Sequence, residues 1–188
     1  MEDVFGELAY ALLSTRSAAA NYQVAFSELK TRYPQWHGLA FAKPTNISAV
    51  IRRAGLANRK ARALKAIARR VFVEESRVDL EFLRNSSTSD AYGYLRALPE
   101  VGPKVAKCVL LYALQRPVLP LDVHNRRVLE RLGIAQPGED TDRVEQRVPA
   151  AIRFDLHVNL IAHGRNVCGP KPRCASCSLA DLCPASAR

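Results

Sequence analysis

Residues 98–106 read Leu-Pro-Glu-Val-Gly-Pro-Lys-Val-Ala, and this stretch decides the fold. Gly102 ends a turn, and Pro103 after it suits the first position of a helix. An apolar run follows at helical spacing. A helix that begins in this way presents free backbone N–H groups, which suit a phosphate, and it places Lys104 at its start. The stretch therefore predicts a phosphate-binding turn that leads into a helix.

A carboxylate comes from the next predicted helix. Asp122 lies eighteen positions after Lys104, within the sequence Leu-Asp-Val-His. Taken singly, each residue fits better as a surface lysine on a capped helix or as an N-cap aspartate, because single motif matches are weak. A lysine beside a phosphate-binding helix start, with a carboxylate close behind it, indicates chemistry on a nucleic-acid backbone.

Together the two segments resemble the helix-hairpin-helix and the following Asp loop of the endonuclease III family of DNA glycosylases. That family usually reads Leu-Pro-Gly-Val-Gly-x-Lys-Thr-Ala and then Val-Asp-Thr-His. The resemblance implies that Lys104 is the Schiff-base lysine and that Asp122 is the catalytic aspartate. Found together at the family's spacing, they favour the functional interpretation.

The cysteines form a second pattern. Four of the five fall in the last twenty-one residues with the spacing C-x5-C-x2-C-x5-C: Cys168, Cys174, Cys177 and Cys183. So tight a cluster, without partner cysteines elsewhere, indicates a metal site rather than a disulfide framework. Four thiolates can hold either tetrahedral zinc or an iron–sulfur cluster. The similarity to the family's C-x6-C-x2-C-x5-C run, one residue longer in its first gap, favours a [4Fe–4S] cluster.

Composition agrees with a polyanionic partner. The chain has 188 residues, a formal net charge of +10 and a pI near 9.7. Its 48% apolar content is enough for a real core in one compact unit or two small lobes. A strongly basic protein attracts nucleic acid, and that attraction weakens as the salt concentration rises.

The positive charge is concentrated in residues 51–70, which contain no acidic residue. Leu64, Ile67, Ala68 and Val71 form an apolar stripe at helical spacing, which places the basic residues on the opposite face. Those basic residues are Arg52, Arg53, Arg59, Lys60, Arg62, Lys65, Arg69 and Arg70. A solvated face and a phosphate-facing surface are equally compatible with this pattern.

Export and membrane insertion are not expected. The chain begins Met-Glu-Asp without a basic leader, and its longest apolar run is Cys108–Leu114, far below the ~20 residues that span a bilayer. Thiolate ligands need a reducing compartment, so we expect a cytoplasmic protein. The resemblance implies a nucleoid-associated protein that works as a monomer. Cys108 alone in this run is expected to be a buried small hydrophobe.

The fold is predicted to be all-α, because strand-like alternation is scarce and good helix formers dominate. Pro117 and Pro120 interrupt the helical pattern and mark a hinge at 115–121. By the resemblance, residues 1–116 form a six-helix barrel with the hairpin at about 90–114, and residues 117–188 form the lobe of the iron–sulfur cluster loop at 168–183. The family's first helix, before the barrel, is expected to be absent, which implies either a smaller cluster lobe or a truncated N-terminus. Helices are expected near 3–14, 18–32, 47–54, 58–73, 79–84, 90–97, 103–114, 123–132, 141–148 and 154–163.

The resemblance also implies contacts with DNA. Leu56, in Gly-Leu-Ala-Asn, corresponds to a leucine that wedges into the duplex when a base is flipped, and a core leucine is the alternative. His124 matches a histidine near the damaged strand, and a satisfied helix-start histidine is the alternative. For Arg127 and Arg165 a solvated arginine is as compatible as a phosphate contact. The predicted DNA-binding residues are Arg16, Leu56, Val101, Gly102, Pro103, His124, Arg127, Arg165, Lys171 and Arg173.

Three departures from the family pattern affect the expected substrate range. Glu100 stands where the first glycine of Gly-Val-Gly is usual, and a left-handed backbone there would cost roughly 1 kcal/mol. Arg16 stands where a glutamine is frequent, and Ala18-Ala19 replaces a usual Thr-Asp.

The resemblance implies a bifunctional DNA glycosylase and AP lyase of base excision repair. Lys104 distinguishes the chain from adenine-specific relatives, which usually have serine there. Oxidised pyrimidines in duplex DNA and abasic sites are the expected substrates. The alternatives are a catalytically weak or inactive protein of the same fold that binds DNA damage, and a zinc-ribbon nucleic-acid binder.

Overall fold

The computed structural model describes residues 3–187, and within that range the chain forms helices and turns but no strand. The all-α prediction is therefore confirmed. The chain divides between Arg116 and Pro117 into two compact units, which we call unit 1 and unit 2. The predicted domain limits at residues 1 and 188 lie outside the described residues. No described helix combines the length and apolarity that crossing a bilayer requires.

Unit 1 is a helical body with a leucine- and isoleucine-rich core. Its largest fully buried side chains include Phe5, Leu13, Leu29, Ile47 and Leu95. Its helices are α1 (Val4–Ser14), α2 (Ala19–Arg32), α3 (His37–Phe41), α4 (Pro44–Val50), α5 (Ala57–Glu75), α6 (Thr88–Arg96) and α7 (Pro103–Cys108).

The local sequence explains where several of these helices begin. Asp3 caps α1 by accepting the Gly6 N–H, and its carboxylate also accepts the Trp36 Nε1–H at 2.7 Å. Ser87 caps α6 by accepting the Asp90 N–H at 3.1 Å. Pro103 occupies the first turn of α7, as the sequence predicts.

Helix α5 carries the predicted apolar stripe. Leu64, Ile67, Ala68 and Val71 are all buried. The prediction that the basic residues of this region all lie on the opposite face is wrong for Lys60, which is only 4% exposed. Its stem follows the apolar stripe, and its ammonium group finds acceptors inside the unit.

Two further predictions are wrong in detail. The helix expected at 47–54 is α4, which begins at Pro44, ends at Val50 and is followed by a 3₁₀ turn at Arg52–Ala54. The helix expected at 79–84 is a 3₁₀ turn, Glu81–Asn85. Helix α3 was not expected, because its five residues are too few to show a helical period.

The apolar run after the hairpin is helical to its end, but its winding changes. Helix α7 continues from Cys108 into a π-helical turn, Val109–Ala113. Leu114 N–H then bonds to Val109 O at 3.1 Å, and Arg116 N–H bonds to Leu110 O at 2.8 Å. Cys108 is buried, as expected for a small hydrophobe.

Unit 2 contains α8 (Val123–Arg131), α9 (Thr141–Gln146) and α10 (Arg153–Asn166), followed by 3₁₀ turns in the cysteine-rich segment. Its small core includes Leu119, Val128, Leu129, Val144 and Leu160. Cys168 is buried against this core, so the first cysteine of the predicted metal site also contributes to packing.

The approach of α10 to α8 depends on one glycine. A Cβ atom on Gly164 would lie 2.9 Å from His124 Cβ and 3.3 Å from both His124 Cα and His124 O. Backbone atoms of α8 cannot move aside as a flexible side chain could. Gly164, in the sequence His163-Gly164-Arg165, therefore permits α10 and α8 to pack closely at His124.

Candidate active site

Lys104 is the second residue of α7 and is half-buried. Its Nζ donates to Ser14 Oγ at 3.0 Å, and Ser14 Oγ donates its own proton to Ala11 O at 2.7 Å. The last turn of α1 therefore holds the lysine ammonium group through a hydroxyl whose proton points elsewhere. This contact joins residues ninety positions apart and fixes where the end of the lysine lies.

A pocket of about 270 Å³ opens in front of Lys104. The hairpin, the loop after α1 and the start of α5 line it. Its lining includes Thr15, Arg16, Leu56, Arg59, Lys60 and Glu100. All of them belong to unit 1, so this pocket is formed by that unit alone.

Three residues around this pocket have left-handed backbone conformations without being glycine. The φ angles are 50° at Arg16, 49° at Leu56 and 63° at Glu100. Such a conformation costs an ordinary residue roughly 1–2 kcal/mol, and strained residues of this kind cluster at functional sites. Leu56 is also 49% exposed, which rules out the alternative that it is a core leucine.

The hairpin turn leaves a defined set of backbone donors. Val101 N–H is used inside the turn, where it donates to Leu98 O at 3.3 Å, and Pro103 has no N–H. The amides available to a phosphate are therefore those of Gly102 and of the first turn of α7. Arg96 Nη1 closes the turn from α6 by donating to Val101 O at 2.6 Å.

Glu100 forms an ion pair with Arg59, at the start of α5. Arg59 Nη2 and Nε lie 2.6 Å and 2.9 Å from Glu100 Oε2. The hydrogen bond from Arg59 lowers the pKa of the Glu100 carboxyl, because it favours the charged form of this group. The side chain at the position of the usual glycine is thus a fixed anion on the rim of the pocket.

Lys60 holds two loops of the pocket together from inside unit 1. Its Nζ donates to Leu13 O and to Ala54 O, both at 2.8 Å. Leu13 directly precedes Ser14, and Ala54 directly precedes the Gly55-Leu56 turn. Burial lowers the pKa of Lys60 to about 8.

Glu7, in α1, is another buried ionisable group of unit 1. It lies seven residues before Ser14, and therefore on the same face of the helix, and it is 4% exposed. Burial raises the pKa of its carboxyl to about 7, and the nearby positive charge of Lys104 acts in the opposite direction.

In unit 2, Asp122 is the N-cap of α8. Its Oδ1 accepts the N–H groups of His124 at 2.8 Å and Asn125 at 2.9 Å. Both bonds use the same oxygen, and no hydrogen bond or ion pair to Oδ2 is formed within residues 3–187. Asp122 can therefore be both the N-cap and a catalytic carboxylate, the two alternatives that the sequence offers, because the cap orients the group and leaves one oxygen free.

The predicted DNA contacts of unit 2 differ in how far they are engaged within the unit. Arg127 donates to Cys168 O at 2.8 Å and to Gly164 O at 2.7 Å, and its Nη2 lies 3.2 Å from His124 Nδ1. Arg173 donates to Asn166 O. Arg165 and Lys171 are exposed, and across residues 3–187 neither side chain forms a hydrogen bond or an ion pair.

A buried polar pair near Asp122 was missed. Asn125 and His157 are at most 1% exposed, and His157 Nδ1 lies 2.9 Å from Pro120 O, which can only accept. Asn125 Nδ2 donates to His157 O at 3.2 Å, and its Oδ1 has no partner in the described part of the chain. The signal was present, because Asn125 stands in the helical register of the core residue Leu129.

The cysteine-rich segment supplies four reduced thiols, but it does not form a closed metal site in this structure. Across residues 3–187, no three Cys, His, Asp or Glu side chains lie close enough together to hold a metal ion. Two thiols have donors that suit thiolate ligands: Arg131 Nη1 lies 3.1 Å from Cys168 Sγ, and Leu179 N lies 3.4 Å from Cys177 Sγ. The donor set fits a four-thiolate group in its chemistry.

Comparison with known proteins identifies the class. The sequence profile of the HhH-GPD superfamily of base excision DNA repair proteins matches residues 9–153, so the chain belongs to that superfamily. Endonuclease III of Sulfolobus acidocaldarius is 31% identical over 188 residues, which cover 96% of this chain and 82% of the relative. The chain is therefore a member of the endonuclease III family, as its hairpin and cysteine pattern predict.

Other relatives are longer than the chain. A candidate DNA glycosylase of Arabidopsis thaliana is 34% identical over 97% of the chain, and endonuclease III of Escherichia coli K12 is 37% identical over 73% of it. These matches span only 65% and 63% of the lengths of the two relatives.

The fold comparison agrees. A non-covalent endonuclease III–DNA complex superposes on the whole chain with a TM-score of 0.86 at 24% identity and 86% coverage of that structure. A trapped endonuclease III–DNA covalent intermediate gives 0.84 at 25% identity, again over the whole chain and 86% of that structure. The predicted helix-hairpin-helix glycosylase fold is thus confirmed.

Proposed function

We propose that this protein is a bifunctional DNA glycosylase and AP lyase of base excision repair, which removes oxidised pyrimidines from duplex DNA and cleaves abasic sites. The observation that carries the proposal is Lys104, whose Nζ is held by Ser14 at the opening of a pocket beside the hairpin. Binding alone needs neither a positioned amine nor the carboxylate of Asp122. A relative of the same family was captured as a covalent intermediate with DNA, which supports an enzyme nucleophile.

The chemistry follows from these groups. Deprotonated Lys104 Nζ attacks C1′ of the damaged nucleotide, the N-glycosidic bond breaks, and the base leaves with the bonding electron pair and a proton. The sugar ring then opens as an imine forms between Nζ and C1′. Loss of a proton from C2′ expels the 3′ phosphate by β-elimination, and hydrolysis of the imine restores the lysine.

Asp122 carries the second catalytic role in this proposal. As the glycosidic bond breaks, positive charge develops on the sugar, and a carboxylate oriented by its bonds to the start of α8 stabilises that charge. Its Oδ2 is the oxygen left for this task. Activation of Lys104 by the same carboxylate is equally compatible with the residue types.

DNA binding is assigned to the predicted residues. Gly102 and the start of α7 would receive a phosphate, Leu56 would enter the duplex, and Arg16 would line the pocket. His124, Arg165, Lys171 and Arg173 would contact the backbone from unit 2. Arg127 would do so only through donor capacity beyond its two carbonyl contacts.

We assign the four cysteines to a [4Fe–4S] cluster. Cys168, Cys174, Cys177 and Cys183 would hold it, and the cluster would order the C-terminal segment, with no part in bond cleavage. Thiolate ligation and a DNA substrate both favour the cytoplasm and the nucleoid, and the proposed unit of action is the monomer.

Borohydride trapping tests the function. Native protein is incubated with one duplex containing an oxidised pyrimidine and another containing an abasic site, and the imine is reduced to a stable covalent adduct. We expect adducts on both duplexes, complete loss with Lys104→Ala, and retention with Lys65→Ala, which removes a lysine of α5 outside the pocket.

The results separate the alternatives. Trapping on the abasic duplex alone would restrict the protein to lyase chemistry. No adduct on either duplex, with salt-sensitive DNA binding intact, would replace the proposal with that of a damage-binding protein. The strained Glu100 in the hairpin is the observation that favours this second function, because its carboxylate repels phosphate.

A further inference from the structure

The ion pair between Arg59 and Glu100 joins two parts of the pocket rim. Glu100 belongs to the hairpin, and Arg59 lies three residues after Leu56. Both side chains are well exposed, at 60% for Arg59 and 40% for Glu100, and both also line the pocket of Lys104. A molecule that brings a sugar carbon to Lys104 must therefore pass this pair.

Two features argue against a purely structural role. An exposed ion pair contributes only about 0–1 kcal/mol to stability. Glu100 nevertheless takes up a left-handed backbone that disfavours every residue with a side chain, at a position where glycine would be free of strain. The chain thus keeps a strained anion at the hairpin without a matching gain in stability.

The position of Arg59 explains what the anion does. A guanidinium group on the rim is a natural phosphate ligand, because its donors match phosphate oxygens. In this structure its Nε and Nη2 are both taken by Glu100 Oε2. A phosphate that approached these two donors would have to displace the carboxylate.

We propose that Glu100 competes with DNA phosphate for Arg59 and lowers the affinity for undamaged duplex, so that Arg59 binds phosphate only when a nucleotide is extruded. This inference rests on the proposed function. On intact DNA the backbone gains too little from Arg59 to displace Glu100. When a nucleotide is extruded toward Lys104, its phosphate reaches the rim and takes Arg59, and Glu100 is released to solvent.

The test measures binding without chemistry. Affinities for an undamaged duplex and for the same duplex with a tetrahydrofuran abasic analogue are measured by fluorescence anisotropy over a series of salt concentrations. The variants are Glu100→Gln, Arg59→Gln and the double variant. Glutamine keeps the side-chain length and the backbone strain of Glu100, so only the charge changes.

We expect Glu100→Gln to bind undamaged duplex roughly 3- to 10-fold more tightly and to steepen the salt dependence by about one phosphate contact. The affinity for the abasic analogue should rise by at least the same factor, because that complex no longer has to break the Arg59–Glu100 pair. In the Arg59→Gln background the same substitution should change affinity by less than about 2-fold, because the competition acts through Arg59.

Asp79→Asn is the matched control. It removes one carboxylate that pairs with Arg77 at 3.0 Å and that does not line the pocket of Lys104. It should leave both affinities unchanged.

Three results would overturn the proposal. They are unchanged or weaker binding by Glu100→Gln, equal tightening with and without Arg59, and equal tightening by Asp79→Asn. Borohydride trapping by the native protein is scored separately, so loss of the proposed chemistry and loss of this competition are distinguishable.

Discussion

At the scale of single residues, Glu7 and Lys60 are ionisable groups that unit 1 buries beside the pocket. Both are 4% exposed, yet their surroundings differ. Lys60 has two carbonyl acceptors for its ammonium group, whereas the pKa of Glu7 rises to about 7 because the carboxyl has left water. Glu7→Gln and Lys60→Met should therefore change the free energy of unfolding in opposite directions.

Glu7→Gln should stabilise the protein at neutral pH and above. The pKa of the carboxyl is 4.5 before the shift and about 7 in the folded chain. Between these values the folded state retains a proton that the unfolded state has released, so the unfolding free energy falls as the pH rises through this window. Glutamine removes this fall, which is worth up to about 3 kcal/mol.

Urea unfolding at pH 5 and pH 8 measures this effect. The gain from Glu7→Gln should be small at pH 5 and near its maximum at pH 8. Glu28→Gln, at an exposed position of α2, should show no such difference. An equal gain at both pH values would mean that burial does not shift the titration of Glu7.

Lys60→Met should destabilise the protein by about 1–3 kcal/mol, because it leaves the carbonyls of Leu13 and Ala54 without their donor. Lys65→Met on the same helix is the control, since Lys65 lines an open groove and has no such acceptors among residues 3–187. Equal urea midpoints for both variants would contradict the bridging role of Lys60.

Side chains that lie within a recognisable motif were predictable from the sequence. Those whose role depends on carbonyl groups distant along the chain were not. Lys104 stands in a short recognisable stretch. Lys60 stands in a run of exposed basic residues, and nothing local shows that Leu13, forty-seven positions earlier, supplies an acceptor. The burial of Asn125, whose Oδ1 has no partner among the described residues, was likewise not predictable, because it results from contact with His157 in α10.

At the scale of elements, α10 and α8 form the contact that positions the start of α8. The glycine of His163-Gly164-Arg165 allows it, and Arg127 reinforces it by donating to Gly164 O. Because Asp122 is the N-cap of α8, any change in this contact also moves its carboxylate.

Gly164→Ala should destabilise the protein by about 1–3 kcal/mol, since the new methyl group would lie within 3.3 Å of backbone atoms of His124. Alanine is the better helix former, so helix propensity alone predicts the opposite sign. Gly93→Ala is the control, because a Cβ on Gly93 in α6 meets nothing within 4 Å. Thermal unfolding of the two variants distinguishes them, and a gain in stability for both would refute the steric argument.

Elements with caps and long periods were predictable, and short ones were not. Helix α5 was expected from its apolar stripe, and the start of α7 from Pro103 after the Gly102 turn. Helix α3 has five residues, and its Leu39 and Ala40 are buried through contacts that no local period shows. The 3₁₀ turn Glu81–Asn85 has an apolar pattern too short to distinguish it from an α-helical turn.

At the scale of the whole molecule, the excess of positive charge sets the response to salt. A protein of formal charge +10 that neutralises about four phosphates should lose roughly 100-fold in DNA affinity between 50 and 200 mM salt. Anisotropy titrations over this range measure the slope. A slope near zero would mean that the basic residues do not face DNA, and the polyanionic partner would have to be reconsidered.

The cysteine segment gives the last prediction. Protein purified without oxygen should be yellow-brown and contain iron, and Cys174→Ser should lose most of both because one of four thiolate ligands is gone. Cys108→Ser, a buried cysteine of unit 1, should keep its iron. A colourless native protein that contains zinc would assign the four thiols to a different metal.

The π-helical turn at Val109–Ala113 sets the rotational phase between the hairpin and the chain that leaves unit 1. A π turn contains about one residue more than an α turn, so it takes up a single inserted residue without ending the helix. Deleting one residue from this turn would restore α-helical winding, because the extra residue that the wide turn accommodates would be gone. Leu114 and Arg116 would then keep nearly the same directions relative to Lys104, whereas the same deletion from α-helical residues would rotate all that follows by about 100°. This turn is therefore the place in the helix where the loss of one residue should disturb unit 1 least.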